Sequence, residues 1–413
     1  MIKLKGFQKL TSVDEALKKW FDVLKITKPE AELVLLDKAL NRVLAEDVIA
    51  EENLPRFDRS AVDGYALAAE TTLGASQFKP VSFKLVESDV IDSKQVKRVW
   101  TGNPLPKGAD TIVMIENTRK ENGAVKVEVQ LAPGDNVVKK GEDVKKDELI
   151  ITAGTRLNPY HLALLAAFGE NQVSVTKKPR IAVLATGNEL ASVGSKPAAN
   201  QIYESNTTLI SAMCLELDSE PIDLGIAKDD LNEITQKIKR GLSEADAVIT
   251  TGGTSVGGLD LVPDAVNEFG KPGIIVHGMA MRPGMPTALA MLEDKPVMIL
   301  SGNPVAAIIG FEVFVRPLIC RLLGMKQVQQ RPIVKAFITR RVSSALGRKT
   351  FVRVKVFEKN GEVFAEPVSA RGSGAISTMT RGNGFVVVPE DREGVAENEL
   401  VTVRLFGNME MGS

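Results

Sequence analysis

Residues 245–260, ADAVITTGGTSVGGLD, are the segment best suited to chemistry. An apolar run typical of a buried strand passes abruptly into glycine and hydroxyl residues, and such a turn presents backbone N–H groups to a phosphate. The loop supplies donors and one closing carboxylate: Thr250, Thr251, Gly252, Gly253, Thr254, Ser255 and Asp260. It matches neither the P-loop nor the dinucleotide fingerprint. The segment predicts a phosphate site, and an ordinary glycine-rich connection between strand and helix is the alternative.

Two other predicted strands end in similar loops. IAVLAT leads into Thr186, Gly187, Asn188 and Glu189, and KPVMILS leads into Gly302, Asn303 and Pro304. Because ligands of an open α/β sheet bind at the carboxyl ends of its strands, the three loops together predict one pocket for a phosphate-bearing ligand. For the third loop, helix capping by Asn303 with Pro304 at the first helical position is the alternative.

Other polar residues allow both a functional and a structural interpretation. Arg282 precedes a Pro-Gly turn, where a guanidinium can hold an oxyanion bidentately or can simply be a surface charge. Asp58 and Asp63 of PRFDRSAVDGYAL, and Asp143 of GEDV, lie in turns, which favour Asp for structural reasons. By themselves these acids are interpreted as structural. No Ser-His-Asp triad can be assembled, and GxSxG does not occur.

Composition excludes several classes of protein. The 413 residues predict two to four domains, and 52 basic against 52 acidic residues disfavour a nucleic-acid-coating protein. Cys214 and Cys320 lie in apolar helical patterns, which predicts buried free thiols in a reducing cytosol. Two Cys and two His make structural zinc improbable. With neither a signal peptide nor a long apolar run, we expect a soluble, cytoplasmic protein that does not contact membranes.

The element pattern changes four times along the chain. Residues 11–50 are predicted helical, with Ser12 as a cap and a second helix over part of 37–47. Residues 51–139 form a small β domain inserted between 1–50 and 140–178, where Asn158 caps a helix that starts at Pro159. Residues 179–326 alternate strands and helices, which favours an α/β domain with a mostly parallel sheet. Residues 327–413 return to short strands, which suggests a small barrel or sandwich.

The ordered motifs resemble the molybdopterin molybdenumtransferase family, which includes the bacterial MoeA proteins and the E domain of gephyrin. PRFDRSAVDGYAL, TGNPLPKGAD and GDNVVKKGEDV are similar to the family's N-terminal motifs. ATGNELA, NQIYESN, TTGGTSVGGLD and LSGNPVAA are similar to its central motifs, in the same order. Each motif alone is weak, but the ordered set covers essentially the full chain and is highly specific.

The resemblance implies a multidomain α/β plus β fold: an elongated helical domain, an inserted β domain, a molybdopterin-binding α/β domain and a C-terminal β-barrel. It implies a homodimer whose cleft lies between the α/β domain of one subunit and the β domain of the other. The reaction implied takes adenylylated molybdopterin and molybdate or tungstate, releases AMP, and inserts the metal at the dithiolene with the help of Mg²⁺. A molybdopterin adenylyltransferase and apo-molybdoenzymes are the expected protein partners.

Carried over position by position, the resemblance also implies the site residues. The pterin phosphate and its pocket would be bound by Thr186, Gly187, Gly252, Gly253, Thr254, Ser255, Gly302, Asn303 and Pro304. Acidic cleft positions, which would hold Mg²⁺ and orient water, are Asp63, Asp143, Glu189, Asp229 and Asp260. Glu189 and Asp260 are the expected metal ligands, and replacing Asp260 by Ala should abolish turnover. Arg282 stands at a lysine position near the oxyanion, and Ser373 and Ser377 are expected close to the cleft.

The chain departs from the family pattern at four cleft positions. Asn188 and Gly258 replace acidic residues, and Gly278 and Met285 replace lysines. With less positive charge, attraction of an oxyanion should weaken. Two alternatives to the metal insertase therefore stay open: a non-catalytic molybdopterin carrier or scaffold, and an enzyme acting on another nucleotide-linked substrate.

Overall fold

The computed structural model describes residues 10–25, 29–253, 261–368 and 372–411. The chain divides into two compact units. The larger unit comprises Met1–Glu32, Asn41–Ala45 and Val175–Ser413, and the smaller unit comprises Leu33–Leu40 and Glu46–Ser174. None of the helices in the described ranges is long and apolar enough to span a membrane.

A six-stranded sheet forms the centre of the larger unit. Its strands, in spatial order, are Glu220–Ala227, Arg180–Thr186, Ala247–Thr251, Lys295–Leu300, Ala288–Leu292 and Gly273–His277. The first four run parallel. Ala288–Leu292 pairs antiparallel with the fourth, and Gly273–His277 pairs antiparallel with Ala288–Leu292, so it again has the direction of the first four. This arrangement confirms the mostly parallel sheet. It also places the ends of three parallel strands, at Thr186, Thr251 and Leu300, side by side.

The alternation of side chains along each strand gives the sheet two buried faces. Ile181 and Val183 belong to one apolar cluster, whereas Ala182 and Leu184 belong to another. Helices cover the sheet: Val13–Val23, Asn206–Glu216, Leu231–Glu244, Leu261–Glu268 and a run of Pro304–Gly310, π-helical Phe311–Val315 and Arg316–Leu322. The helical run thus begins at Pro304, the first helical position in the capping interpretation.

The two cysteines are buried free thiols, as expected. Burial raises the pKa of Cys214 to about 12. The group therefore stays a protonated thiol at neutral pH, and it is not the nucleophile of a covalent mechanism.

Five strands close into a barrel at the C-terminal end of the larger unit. They are Ile333–Ile338, Lys349–Lys359, Glu362–Pro367, Gly384–Val388 and Leu400–Leu405. The long strand Lys349–Lys359 pairs with both Glu362–Pro367 and Gly384–Val388, which closes the ring. Met281–Arg282 and Glu410–Met411 also pair with the long strand. Short elements complete this unit: Leu190–Ala191, Ile202–Tyr203, Val342–Ser343, Ser377–Arg381 and Gly394–Val395.

The smaller unit is built on a six-stranded β-sheet. Its strands, in spatial order, are Thr111–Met114, Gly64–Leu67, Gln95–Val99, Val81–Val86, Ala124–Val127 and Thr118–Glu121. Its short strands and 3₁₀ turns are Leu36–Lys38, Val48–Ile49, Arg59–Ser60, Ala69–Thr72, Ile115–Asn117, Val137–Val138 and Leu149–Ile151. Helix Pro159–Ala167 begins with the predicted Asn158 cap, which His161 reciprocates. Strands Ala31–Leu35 and Gln172–Thr176 also pair.

The second helix expected over part of 37–47 is wrong. A 3₁₀ turn at Leu36–Lys38 is the only helical element of this stretch, and Asn41 adopts a left-handed backbone with φ 66°. An α-helix does not accommodate that conformation. The next residue, Arg42, pairs with Asp218, far away in sequence, and tertiary contacts of this kind override the local helical pattern.

The four-part domain division stays a prediction.

Arg42 is the centre of a buried ionic network in the larger unit. Only 7% of the residue is exposed. Its guanidinium contacts the carboxylates of Asp218 at 2.9 Å and Glu32 at 2.6 Å, and donates to the carbonyl of Thr176 at 2.8 Å. Lys178 contacts the other oxygen of Asp218 at 2.8 Å.

Replacing Arg42 by Met should lower the free energy of unfolding of the larger unit by about 3 kcal/mol, because it leaves a buried carboxylate short of its partner. Urea denaturation followed by the fluorescence of buried Trp20 measures this loss. Arg240→Met is the matched control, since it removes an exposed pair with Glu244. Equal shifts of the urea midpoint in both variants would show that the Arg42 network does not stabilise the fold.

Candidate active site

The structure brings the loops after three parallel strands into contact. The Thr186 hydroxyl donates to the carbonyl of Thr251 at 3.4 Å, and the N–H of Gly252 donates to the carbonyl of Leu300 at 3.1 Å. A Cβ added to Gly302 would lie only 3.4 Å from the Cα of Gly252. The predicted juxtaposition of Thr186, Gly252 and Gly302 is therefore present.

Glycine is required at both described positions of the glycine loop. Gly252 has φ 90°, and a Cβ there would lie 2.4 Å from the carbonyl oxygen of Thr186. Gly253 has φ 66°, and a Cβ there would lie 2.4 Å from a methyl group of Val262. Both need a left-handed backbone and a close approach. Thr254, Ser255, Gly258 and Asp260 lie outside the described residues.

Asn188 and Asp229 join two neighbouring strand ends through reciprocal hydrogen bonds. The N–H of Asn188 donates to the Asp229 carboxylate, and the N–H of Asp229 donates to the Asn188 side-chain carbonyl, each at 3.2 Å. Gly187 reinforces the contact by donating to the carbonyl of Ala227 at 3.1 Å. A neutral amide at position 188 makes this link without placing a second negative charge beside Asp229.

Two exposed carboxylates stand at this edge of the sheet. The side chain of Glu189 folds over Gly187, so a Cβ on that glycine would lie 2.5 Å from a carboxylate oxygen. Asp229 follows the adjacent strand and is also exposed. The described residues contain no group of three or more His, Cys, Asp or Glu that could hold a metal. Mg²⁺ commonly takes one or two carboxylates and completes its shell with water and substrate phosphate, so these residue types are chemically compatible with it.

The side chain of Asn303 in the third loop does not cap the helix that follows it. Asn303 occupies the N-cap position with Pro304 next, as predicted, but its side chain makes no capping hydrogen bond with a described residue. The N–H of Asn303 donates to the Ser301 hydroxyl at 3.3 Å, and the N–H of Val305 donates to the carbonyl of Ser373 at 3.1 Å. Ordinary side-chain capping therefore does not account for Asn303.

Sequence reasoning missed a supporting residue of this loop. The amide of Asn206, a residue only 7% exposed, donates to the carbonyl of Gly302 at 2.8 Å. Glu204 in turn accepts from the N–H groups of Asn206 and Thr207 at 2.6 and 3.0 Å. Both residues lie in the motif NQIYESN. A polar pair just before an apolar helical run is the signal that could have identified them.

An arginine-lined cavity of about 620 Å³ borders the third loop. Ser301, Asn303 and Ser373 contribute to its wall. Five guanidinium groups line it: Arg282, Arg340, Arg341, Arg348 and Arg353. Its described lining residues include neither Asp nor Glu. The site thus gathers positive charge in a protein whose formal net charge is zero.

Most of this charge is uncompensated. Arg340 donates to the carbonyl of Pro367. The other four arginine side chains make no hydrogen bond or ion pair with any residue that the structure describes. The Nε of Arg353 is buried without a hydrogen-bond partner among the described residues, and burial lowers the pKa of this guanidinium. A cavity that concentrates unpaired guanidinium groups is suited to binding an anion.

Four of the five arginines come from the barrel and were not identified from the sequence. The basic run RRVSSALGRKTFVR at 340–353 is the signal that could have indicated them. Met285, at a lysine position of the family, also lines the cavity. The weaker oxyanion attraction expected from the missing lysines stays a prediction, and the barrel arginines argue against it.

The two predicted serines of the barrel differ in position. Ser373 lines the cavity. Ser377 begins the short helix Ser377–Arg381, where it is exposed and its hydroxyl accepts from Arg381 at 3.2 Å. Ser377 is not among the described residues that line the cavity.

The acidic residues of the smaller unit have structural hydrogen bonds. One carboxylate oxygen of Asp63 accepts from the N–H and hydroxyl of Thr101 at 2.8 and 2.9 Å. These bonds lower the pKa of Asp63 and keep it ionised at neutral pH. Asp58 accepts from the N–H of Lys140 at 2.7 Å, which likewise lowers its pKa. Asp143 is exposed in a turn, where its N–H donates to the carbonyl of Leu54 at 3.1 Å.

Comparison with known proteins identifies the family. Three family profiles match: the MoeA N-terminal region (domain I and II) over residues 11–169, a probable molybdopterin binding domain over 182–321, and the MoeA C-terminal region (domain IV) over 335–406. A molybdopterin molybdenumtransferase of Bacillus subtilis is 35% identical, with 95% of this chain and 94% of that protein covered.

Two archaeal proteins extend the comparison. A putative molybdopterin biosynthesis protein of Methanocaldococcus jannaschii is 36% identical over 98% of each chain. The solved molybdopterin biosynthesis MoeA protein of Pyrococcus horikoshii superimposes with a TM-score of 0.82 at 34% identity, with 97% of this chain and 100% of that chain covered. The protein described here therefore belongs to the MoeA family of molybdopterin molybdenumtransferases, which are transferases of molybdenum cofactor biosynthesis.

Proposed function

We propose that this protein inserts the metal of molybdate or tungstate into adenylylated molybdopterin and releases AMP. The arginine cavity carries the proposal, because it combines unpaired positive charge with the polar wall of Ser301, Asn303 and Ser373. Molybdate and tungstate are tetrahedral oxyanions, and guanidinium groups bind such oxygens through paired hydrogen bonds. We propose that the oxyanion binds in this cavity, next to the dithiolene of the bound substrate.

The phosphate end of the substrate is proposed to bind at the contacting strand-end loops. Gly252 and Gly253 bring their backbone close to Thr186, and a glycine-rich turn of this kind lets a phosphate approach the main chain. Asn303 belongs to the third of these loops and also lines the arginine cavity. Substrate phosphate and oxyanion would thus be held by neighbouring walls of one site.

Glu189 and Asp260 would hold Mg²⁺, and Asp229, which follows the strand next to that of Glu189, is a further candidate ligand. When bound, the ion would neutralise negative charge on the pyrophosphate. Asp63 and Asp143 would orient the attacking water. Asp63 is suited to hydrogen bonding or charge stabilisation rather than to proton donation, since its lowered pKa keeps it ionised.

A homodimer is part of the proposal, with Asp63 and Asp143 entering the site from the second subunit. Exposed apolar residues of the smaller unit support it. Ile49 and Leu149 face each other in register on paired strands, and both are about half exposed. We place these two side chains in the contact between the subunits. Sedimentation equilibrium measures the molecular mass in solution, and the mass of a monomer would contradict the proposed homodimer.

The decisive experiment supplies purified protein with adenylylated molybdopterin, Mg²⁺ and molybdate or tungstate, and measures AMP. We expect AMP release that depends on the oxyanion. Bound substrate without AMP release would favour the carrier or scaffold function instead. In the cell we place the reaction in the cytoplasm, between a molybdopterin adenylyltransferase that supplies the substrate and apo-molybdoenzymes that receive the product.

A further inference from the structure

The two tryptophans of the chain have opposite environments. Trp20 is fully buried in the larger unit, whereas Trp100, in the smaller unit, is 51% exposed. The guanidinium carbon of Arg98 lies 4.3 Å from the centre of the Trp100 ring, within the range of a cation–π contact. A large aromatic side chain is therefore held from one side by a cation while half of its surface stays open to solvent.

The backbone under Trp100 is held firmly. Its N–H donates to the side-chain carbonyl of Asn103 at 2.9 Å, and its carbonyl accepts from the N–H of Asn103 at 2.9 Å. The turn is locked further because Gly102 donates to the carbonyl of Ser60 at 2.8 Å. A ring on such a turn loses little conformational entropy when another ring packs on it.

The same turn also hydrogen-bonds to the carboxylate of Asp63, which is predicted to be catalytic. Thr101, the residue after Trp100, donates both of its hydrogen bonds to Asp63. Those bonds, followed by the positive charge of Arg98, lower the pKa of Asp63. Arg98 thus lies within electrostatic reach of Asp63 while it contacts the indole ring. The exposed indole ring of Trp100 therefore belongs to one cluster with Arg98 and Asp63, and it is not an isolated surface side chain.

We propose that Trp100, braced by Arg98, is the stacking platform for a planar heteroaromatic ring of the substrate. The inference rests on the proposed function, whose substrate carries two such rings, adenine and the pterin. Stacking on an aromatic side chain does not require a particular hydrogen-bond pattern, so either ring satisfies the chemistry.

The test measures binding by calorimetry to wild-type protein, Trp100→Ala and Trp100→Phe. The ligands are AMP, neopterin monophosphate and ribose 5-phosphate, which carries a phosphate but no aromatic ring. We expect Trp100→Ala to weaken one of the two ring-bearing ligands by about tenfold or more, and Trp100→Phe to retain most of the affinity. Ribose 5-phosphate should bind all three proteins alike. The ligand that loses affinity identifies the ring.

A matched control and a second readout keep the result specific. Phe78, which is 99% exposed in the same unit, can be replaced by Ala and should leave all three affinities unchanged. The ring-bearing ligand should also quench wild-type fluorescence but not that of Trp100→Phe, in which buried Trp20 is the remaining indole. Unchanged affinity of Trp100→Ala for both ring-bearing ligands, or an equal loss for ribose 5-phosphate, overturns the proposal. The proposal is also overturned if Trp100→Ala changes only the oligomeric state of the protein. Trp100-dependent binding without AMP release would refute only the proposed function.

Discussion

Replacing Gly252 by alanine should lower the rate of AMP release by about 100-fold or more. The φ of 90° is unfavourable for alanine, and the added Cβ would meet the carbonyl oxygen of Thr186 at 2.4 Å. The loop can relieve this overlap only by moving away from Thr186. A displacement of about 1 Å in a positioned reactant typically costs about two orders of magnitude in rate. Initial rates of AMP release at saturating molybdate measure the effect.

Gly194→Ala is the matched control for this variant. Gly194 lies in the same unit with φ 84°, but a Cβ there would meet no described atom within 4 Å. It therefore introduces similar backbone strain without the collision. The control should keep its AMP-release rate, and a comparable loss in both variants would mean that general strain, not the approach to Thr186, is responsible.

Replacing Arg353 by methionine should raise the molybdate concentration needed for half-maximal rate by about 100-fold. The guanidinium is half-buried and lines the arginine cavity proposed to hold the oxyanion. Truncating one member of a desolvated charge pair typically costs about 2–5 kcal/mol. Arg392→Met is the control, because Arg392 belongs to the same C-terminal part but is paired with Glu399 at 2.8 Å. It should leave the molybdate dependence unchanged.

The thermal stability of Arg353→Met provides a separate check. Burial lowers the pKa of Arg353, so the charged form is disfavoured in the native state. Since an uncompensated charge destabilises the fold, its removal should leave the melting temperature unchanged or raise it. A lower melting temperature with unchanged molybdate dependence would assign Arg353 a structural role and remove it from the oxyanion site.

Much of the larger unit follows from local pattern. The helix Leu231–Glu244 buries Ile234, Ile238 and Leu242, which recur at the spacing of one helical face. The strands Arg180–Thr186 and Lys295–Leu300 are almost continuous apolar runs, as expected for strands covered on both faces. These elements could be predicted because each depends on the periodicity of neighbouring residues.

The failures have a different physical origin. The stretch 37–47 has a helical pattern, yet Asn41 turns the chain and Arg42 pairs with Asp218, far away in sequence. The arginine cavity likewise combines Arg282 with arginines of the barrel, which are far from it in sequence. Neither contact is encoded by spacing along the chain, so neither could be found by reading it.

The amino-acid sequence by itself determined the family, through an ordered set of motifs, and it predicted the strand-end glycines and carboxylates as candidate site residues. Their local requirements, such as a left-handed backbone at Gly252, are properties of single positions. Only the tertiary structure decided which charges share a cavity. It placed Arg353 and Ser373 against the Asn303 loop and left Ser377 outside. The reason is that electrostatic and packing energies depend on distance in space, whereas motifs record only order along the chain.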